Sequence, residues 1–207
     1  VGVGNAVITV DDTADLDAAA EKIRLSKTLD LAASCSSDNS VVLLDGIYEP
    51  MLEKLKAQGG YLCNEEEKAA LRNTLWDEEL HLNTAIVAQP PEKIAQMAGL
   101  SIPEETKFFI VPEEGWGPEH PFSGEKLSVI MALYCARDID HAIELTQNIQ
   151  AYQGQGHSCG IYSRSDENIM KLAENTYTSR VMVNQPQAAS NSGNVWNGMR
   201  QTFSLGC

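Results

Sequence analysis

Short apolar runs alternate with amphipathic segments along most of this chain, and this alternation is the feature that most limits its fold. Continuous or β-branched apolar runs, which are typical of buried strands, occupy residues 6–10, 41–44, 107–111, 127–136, 158–162 and 180–184. Helical spacing or helix start signals occupy residues 14–27, 47–58, 64–75, 94–98, 138–150 and 166–175. The sequence therefore predicts one α/β domain of three layers, a mostly parallel sheet with helices on both faces.

Helix boundaries can be predicted at several positions. Asn64 is followed by Glu67, the spacing of a capping box at the start of a helix. Asp138 offers an N-cap for the helix that runs to residue 150. The Gly59–Gly60 pair is expected to end the helix before it, because glycine readily adopts the C-cap conformation.

The charge and the cysteine pattern exclude several classes of protein. The 207 residues carry a formal net charge of −14 at pH 7, from 15 basic and 29 acidic side chains. A field of this sign repels phosphate backbones and anionic lipid, so we expect neither nucleic-acid nor membrane partners. Five cysteines, with no CxxC pair, favour a reducing, cytoplasmic location over a disulfide framework or a zinc site.

Both ends of the chain are unusual. It begins at Val1 without a methionine and stops at Cys207 without a polar tail. We therefore expect an excised domain of a longer polypeptide, whose other parts supply some of any active site.

Cys35 is the thiol whose setting most favours chemistry. It lies among serines, between a helical segment and a buried strand, where backbone N–H groups can stabilise a thiolate or an oxyanion. The alternative is a small core cysteine, which suits Cys63, Cys135 and Cys159 better because they fall on segments expected to be packed.

His157 is the histidine that would serve such a thiol. It follows a glycine-rich turn at residues 154–156 and lies 122 positions after Cys35 (157 − 35). Catalytic cysteines and histidines are commonly distant in sequence. The alternative is a histidine that is simply hydrogen-bonded at the entry to a strand.

Four separated motifs, in this order, resemble the aldehyde dehydrogenase superfamily and specifically its CoA-acylating branch. They are GVGNAVITVDDTADLD near the start, SKTLDLAASCSSDNSVV around Cys35, PFSGEKLS around Glu125 and GQGHSCGIY around His157. The tail NQPQAASNSGNVWNGMRQTFSLGC is most similar to acylating sulfoacetaldehyde dehydrogenases. The resemblance covers essentially the whole chain and implies that residues 1–207 are the catalytic domain, without the family's N-terminal cofactor-binding domain and inactive alone.

The resemblance also implies roles for three residues. Cys35 would attack the aldehyde, and the adduct would pass a hydride to NAD or NADP and leave a thioester that coenzyme A discharges. Glu125 matches the family's glutamate that contacts the nicotinamide ribose. His157 matches a histidine of acylating members, for which proton transfer and acceptor positioning both stay open. The choice between NAD and NADP is made in the missing domain.

Two departures from the family pattern affect these expectations. Common acylating members read close to SKTFDNG where this chain reads SKTLDLAAS, which leaves the shape of the aldehyde pocket open. Val1 stands where hydrolytic members carry the glutamate base of an ELGGK-like motif. Without a carboxylate there, a CoA thiol should outcompete water for the thioester.

The implied reaction is oxidation of sulfoacetaldehyde to sulfoacetyl-CoA. A sulfonate needs cationic or N–H donors, and Arg180 and Arg200 flank a donor-rich segment, residues 184–200, beyond the last predicted strand, where parallel sheets usually bind ligands. The alternative interpretation of residues 184–200 is an ordinary polar loop without a binding role. The alternatives are another short aldehyde, such as acetaldehyde, or a non-catalytic domain of the same fold. The expected partners are a small aldehyde, coenzyme A and further copies of the full-length chain in a homo-oligomer.

Overall fold

A single seven-stranded sheet organises the chain, in a computed structural model that describes residues 3–194 and 197–201. In chain order the strands are β1 (Ala6–Val10), β2 (Asp38–Leu44), β3 (Gly60–Leu62), β4 (Phe108–Pro112), β5 (Ile130–Ala136), β6 (Gly156–Tyr162) and β7 (Thr178–Val183). Their order across the sheet is β3-β4-β5-β2-β1-β6-β7, and all neighbouring pairs are parallel.

Helices cover the sheet on both faces. They are α1 (Leu16–Thr28), α2 (Tyr48–Ala57), α3 (Glu65–Leu75), α4 (Pro91–Ala98), α5 (Ile139–Tyr152), α6 (Asp166–Asn175) and α7 (Gln187–Asn191). The chain moves across the sheet in one direction through α1 and α2 and in the other through α5 and α6. Because parallel crossovers are right-handed, the two sets of helices lie on opposite faces. The predicted three-layer α/β fold is confirmed.

The central strands are buried along their whole length. Every position of β1 and of β2 is buried, as expected for strands covered on both faces. β2 nevertheless opens with three polar residues, Asp38, Asn39 and Ser40, all at most 1% exposed. The predicted strand over residues 41–44 is therefore too short, because polar residues that the sequence assigned to a loop continue the strand.

Two further elements were not predicted. β3 has only three residues, too few to show a periodic pattern, and Gly60 begins it rather than only ending α2. α7 lies inside the segment 184–200 that was expected to be a polar loop. Among the described residues no helix is long and apolar enough to cross a membrane.

Candidate active site

Three of the predicted site residues, Cys35, Glu125 and His157, lie at one edge of the sheet. Cys35 precedes β2, Glu125 precedes β5, and His157 is the second residue of β6, while Gly4 precedes β1. These four strands are adjacent and parallel, so all four residues lie at the amino ends of strands. This is opposite to the carboxyl edge of the sheet, beyond which residues 184–200 were expected to offer donors for a sulfonate.

Cys35 and His157 form a close pair despite their separation in sequence. The distance from His157 Nε2 to Cys35 Sγ is 3.2 Å. The thiol is partly exposed, whereas His157 is 6% exposed. Burial lowers the pKa of His157, and the nearby positive charge of Arg180 lowers it further, which favours the neutral imidazole. A neutral imidazole in contact with a thiol can take up its proton.

Gly4 holds the thiol and Glu125 together. A Cβ atom added to Gly4 would lie 2.5 Å from both the Cβ and the carbonyl O of Cys35, and 2.8 Å from Oε1 of Glu125. The Gly4 N–H also donates a hydrogen bond to the Glu125 carboxylate. The absence of a side chain at Gly4 is therefore what lets the chain entering β1 fit between the two side chains.

Glu125 is a carboxylate with unusual proton affinity. Burial raises its pKa to about 7, against the opposing effects of the Gly4 hydrogen bond and of the positive charges on Lys126 and Lys27. Its backbone N–H donates to Gln153 Oε1 at 2.9 Å, which fixes the loop over the site. A half-buried carboxylate beside a thiol suits a ligand that presents hydroxyl groups, because ionised carboxylates only accept hydrogen bonds.

Lys27 and Asp38 are two buried charged residues that sequence reasoning missed, and the charge of Lys27 acts on Glu125. Lys27 and Asp38 are both 0% exposed, and the Lys27 ammonium has no hydrogen-bond partner among the described residues. Burial lowers the pKa of Lys27 to about 7, while the negative charges of Asp38 and Glu125 oppose this shift. Burial likewise raises the pKa of Asp38 to about 7, against a 2.6 Å hydrogen bond from Ser26 and the charge of Lys27. Lys27 stands in the SKTLDL motif, which is the signal that could have marked it.

The backbone just before Cys35 is left-handed over three residues. Asp30, Leu31 and Ala32 have φ angles of 49°, 50° and 60°. Each non-glycine residue in this conformation costs roughly 1–2 kcal/mol. This strained turn falls where the chain departs from the SKTFDNG pattern, in which Asn and Gly would adopt the same angles more easily.

The two arginines differ in their relation to the thiol. Arg180 lies on β7, pairs in register with Ser158 on β6, and donates to the carbonyl of Asn191. Its charge acts on His157, which places it near the site. Arg200 is exposed, and its backbone packs against Gly193. No described contact joins Arg200 to Cys35 or His157.

The remaining cysteines match the prediction only in part. Cys63 and Cys159 are buried as expected, but Cys135 is exposed. Cys135 is the next-to-last residue of β5, and its thiol donates to Asp45 at 3.6 Å. Cys207 and Val1 lie outside the described residues.

A cavity of about 470 Å³ lies away from the thiol. Its lining includes Lys68, Arg72, Glu113 and His120. His120 Nδ1 lies 2.8 Å from Glu113 Oε1. Neither Cys35 nor His157 lines this cavity, so it is separate from the partly exposed thiol.

Comparisons with known proteins find sequence similarity to acylating aldehyde dehydrogenases. The acylating sulfoacetaldehyde dehydrogenase of Cupriavidus necator is 40% identical over 209 residues, which span 100% of this chain and 42% of that protein. The bifunctional aldehyde-alcohol dehydrogenase AdhE of Escherichia coli K12 is 34% identical over 211 residues, 100% of this chain and 24% of that protein. No protein-family profile matches the chain.

Solved structures agree on the fold. The crystal structure of an acetylating aldehyde dehydrogenase from Geobacillus thermoglucosidasius superposes with a TM-score of 0.88 at 34% identity, over 91% of this chain and 41% of that one. This chain spans less than half the length of the curated relatives that it matches.

Proposed function

We propose that this chain, a relative in sequence and fold of the acylating aldehyde dehydrogenases, bears the nucleophile of an enzyme that oxidises a short aldehyde to an acyl-CoA. The observation that carries the proposal is the 3.2 Å contact between Cys35 Sγ and His157 Nε2. In this reading residues 1–207 form the catalytic domain of a longer chain. The rest of the chain would complete the open edge at which the thiol lies, and the full-length enzyme would assemble as a homo-oligomer.

The chain's own residues account for the first steps. His157 takes the proton of the Cys35 thiol, and the resulting thiolate attacks the aldehyde carbon, so that a C–S bond forms and the carbonyl oxygen becomes an oxyanion. When bound, a nicotinamide dinucleotide supplies the hydride acceptor that turns this adduct into a thioester. Glu125 would hold that cofactor by accepting hydrogen bonds from its ribose hydroxyls. The thiol of coenzyme A then displaces Cys35, and His157 is placed to manage the proton released.

The acceptor can be tested without knowing the natural aldehyde. In the full-length enzyme we expect one equivalent of reduced cofactor in the absence of coenzyme A, then a stall, then steady turnover once it is added. Water should attack the thioester more slowly than coenzyme A does, because general-base assistance is typically worth about 10²–10⁴-fold in rate. Val1, at the position of the glutamate base of hydrolytic relatives, supplies no carboxylate for that assistance.

Glu125 is the group that could contradict this expectation. Its pKa of about 7 and its place beside Cys35 would suit a base for water. Sustained turnover to a free acid without coenzyme A, abolished by Glu125→Gln, would show that the enzyme is hydrolytic. Alkylation of Cys35 that leaves turnover intact would instead favour a non-catalytic role for this domain.

We further propose sulfoacetaldehyde as the substrate, with Arg180 and Arg200 as the arginines that would bind its sulfonate. Arg180 has the stronger support, because its charge already acts on His157. Arg180→Ala should raise KM for sulfoacetaldehyde at least tenfold more than KM for acetaldehyde, since a charge-assisted hydrogen bond contributes about 1.5–3 kcal/mol. Arg200→Ala is the matched comparison. Equal changes for both aldehydes in both variants would favour acetaldehyde or another uncharged short aldehyde.

A further inference from the structure

Ser158 contacts the nitrogen of His157 that faces away from the thiol. The Ser158 hydroxyl lies 2.9 Å from His157 Nδ1, and this residue is 0% exposed. Its backbone is held independently, because Gln150 Nε2 donates to its carbonyl at 3.2 Å and because it pairs with Arg180 across β6 and β7. The hydroxyl is therefore a fixed partner for the imidazole and not a mobile surface group.

The contact matters because it decides where the imidazole proton lies. A neutral imidazole carries one N–H and one lone pair, and the partner of one nitrogen selects the state of the other. If Nδ1–H donates to the Ser158 oxygen, the lone pair of Nε2 faces Cys35 Sγ at 3.2 Å and can accept the thiol proton. The same oxygen still accepts from Nδ1–H after His157 has become an imidazolium, so it stabilises the ion pair that follows proton transfer.

We propose that Ser158 is a positioning residue that holds His157 in the tautomer able to deprotonate Cys35. The inference deepens the proposed function and rests on it for the role of Cys35. The charged and titratable groups that face His157 are Cys35 and Arg180, with Glu125 beside the thiol. Arg180 opposes protonation of the imidazole, so the Ser158 hydrogen bond acts against that repulsion.

The test measures the thiol directly and needs no substrate. In the full-length enzyme the rate at which iodoacetamide alkylates Cys35 is followed from pH 5 to pH 10 by peptide mapping. Ser158→Ala should lower this rate at pH 7 by about tenfold, the effect of losing one hydrogen bond to a charged group, and move the midpoint of the profile to higher pH. Ser158→Thr keeps a hydroxyl and should restore both the rate and the midpoint.

Two comparisons separate positioning from simple structural support. Ser179 donates to the backbone carbonyl of His157 and not to its ring, so Ser179→Ala should leave the midpoint unchanged. In a His157→Ala background, Ser158→Ala should have no further effect. The proposal is wrong if Ser158→Ala reproduces the wild-type profile, if Ser179→Ala shifts the midpoint as much, or if the effect persists without His157. CoA-dependent turnover is measured separately. If the full-length protein lacked that turnover while Ser158→Ala still shifted the pH profile of Cys35 alkylation, the proposed function would be contradicted but the positioning role of Ser158 would not.

Discussion

Replacing Gly4 by alanine should displace the two side chains that flank it. The added Cβ would meet the Cβ and carbonyl O of Cys35 at 2.5 Å and Glu125 Oε1 at 2.8 Å. Since unstrained contacts between such atoms begin near 3.5 Å, the two segments must separate by about 1 Å. No rotamer change can relieve the overlap with Cys35, because the atoms involved are its backbone and its Cβ.

A shift of this size at the reacting atom has a large expected effect. A 1 Å misplacement can cost roughly 10²-fold in rate, and overpacking destabilises a protein by about 1–3 kcal/mol. We expect Gly4→Ala to reduce kcat/KM of the full-length enzyme about 100-fold with a modest fall in Tm. Steady-state kinetics and the Cys35 alkylation rate measure the first effect, and thermal unfolding measures the second.

Gly46 supplies the control, because a Cβ added there meets nothing within 4 Å. Gly46→Ala should therefore keep wild-type kinetics. If Gly4→Ala also retained the wild-type kcat/KM and alkylation rate, the packing of Gly4 between Cys35 and Glu125 would not be what fixes the site.

Three further outcomes are expected of the full-length enzyme. Brief iodoacetamide treatment at pH 7 should label Cys35 before Cys135, because burial and the Asp45 carboxylate raise the pKa of the Cys135 thiol; earlier labelling of Cys135 in peptide maps would contradict this. Leu31→Asn should raise the free energy of unfolding by about 1 kcal/mol, since Asn tolerates a positive φ, and a lower value in urea titration would contradict it. Lys27→Met should remove a rise in the free energy of unfolding between pH 7 and pH 10. In this window the wild-type lysine binds its proton in the unfolded state but not in the folded state. An unchanged pH slope in the variant would show that Lys27 titrates normally.

The sequence predicts the regular elements well because their signals are local. β1 has the predicted bounds, and the capping box of α3 is present, with Glu67 N–H donating to Asn64 Oδ1 at 3.0 Å and Asn64 N–H donating to Glu67 Oε2 at 2.9 Å. Periodicity does not predict β3, because three residues are too few to show a pattern. It also misses the start of β2, because Asp38 is a residue typical of loops and is nevertheless buried in the core. Composition could not predict a fully buried Lys27, because lysine is almost never buried.

The sequence names candidate site residues but not their geometry. Cys35 and His157 were selected one at a time, and only the order of the strands brings them to 3.2 Å. That order also decides the edge, since β2, β1 and β6 are neighbours whose amino ends coincide. Ser158 was not selected, because a serine next to a histidine in a strand gives no sequence signal of which ring nitrogen it contacts.

The placement at the amino edge has an electrostatic consequence. Helices that connect parallel strands run antiparallel to them, so α1 and α5 end at the edge where Cys35 lies, and helix ends of this polarity disfavour anions. The ends of α1 and α5 therefore do not stabilise a thiolate or an oxyanion at this edge, in a chain whose net charge is −14. Among the described residues, the cations placed to stabilise it are the imidazolium that forms at His157 and Arg180 on β7. For that reason we expect replacement of His157 or Arg180 to affect thiolate formation more strongly than changes in bulk surface charge do. Raising the ionic strength should weaken the effect of exposed charges more than that of the buried His157.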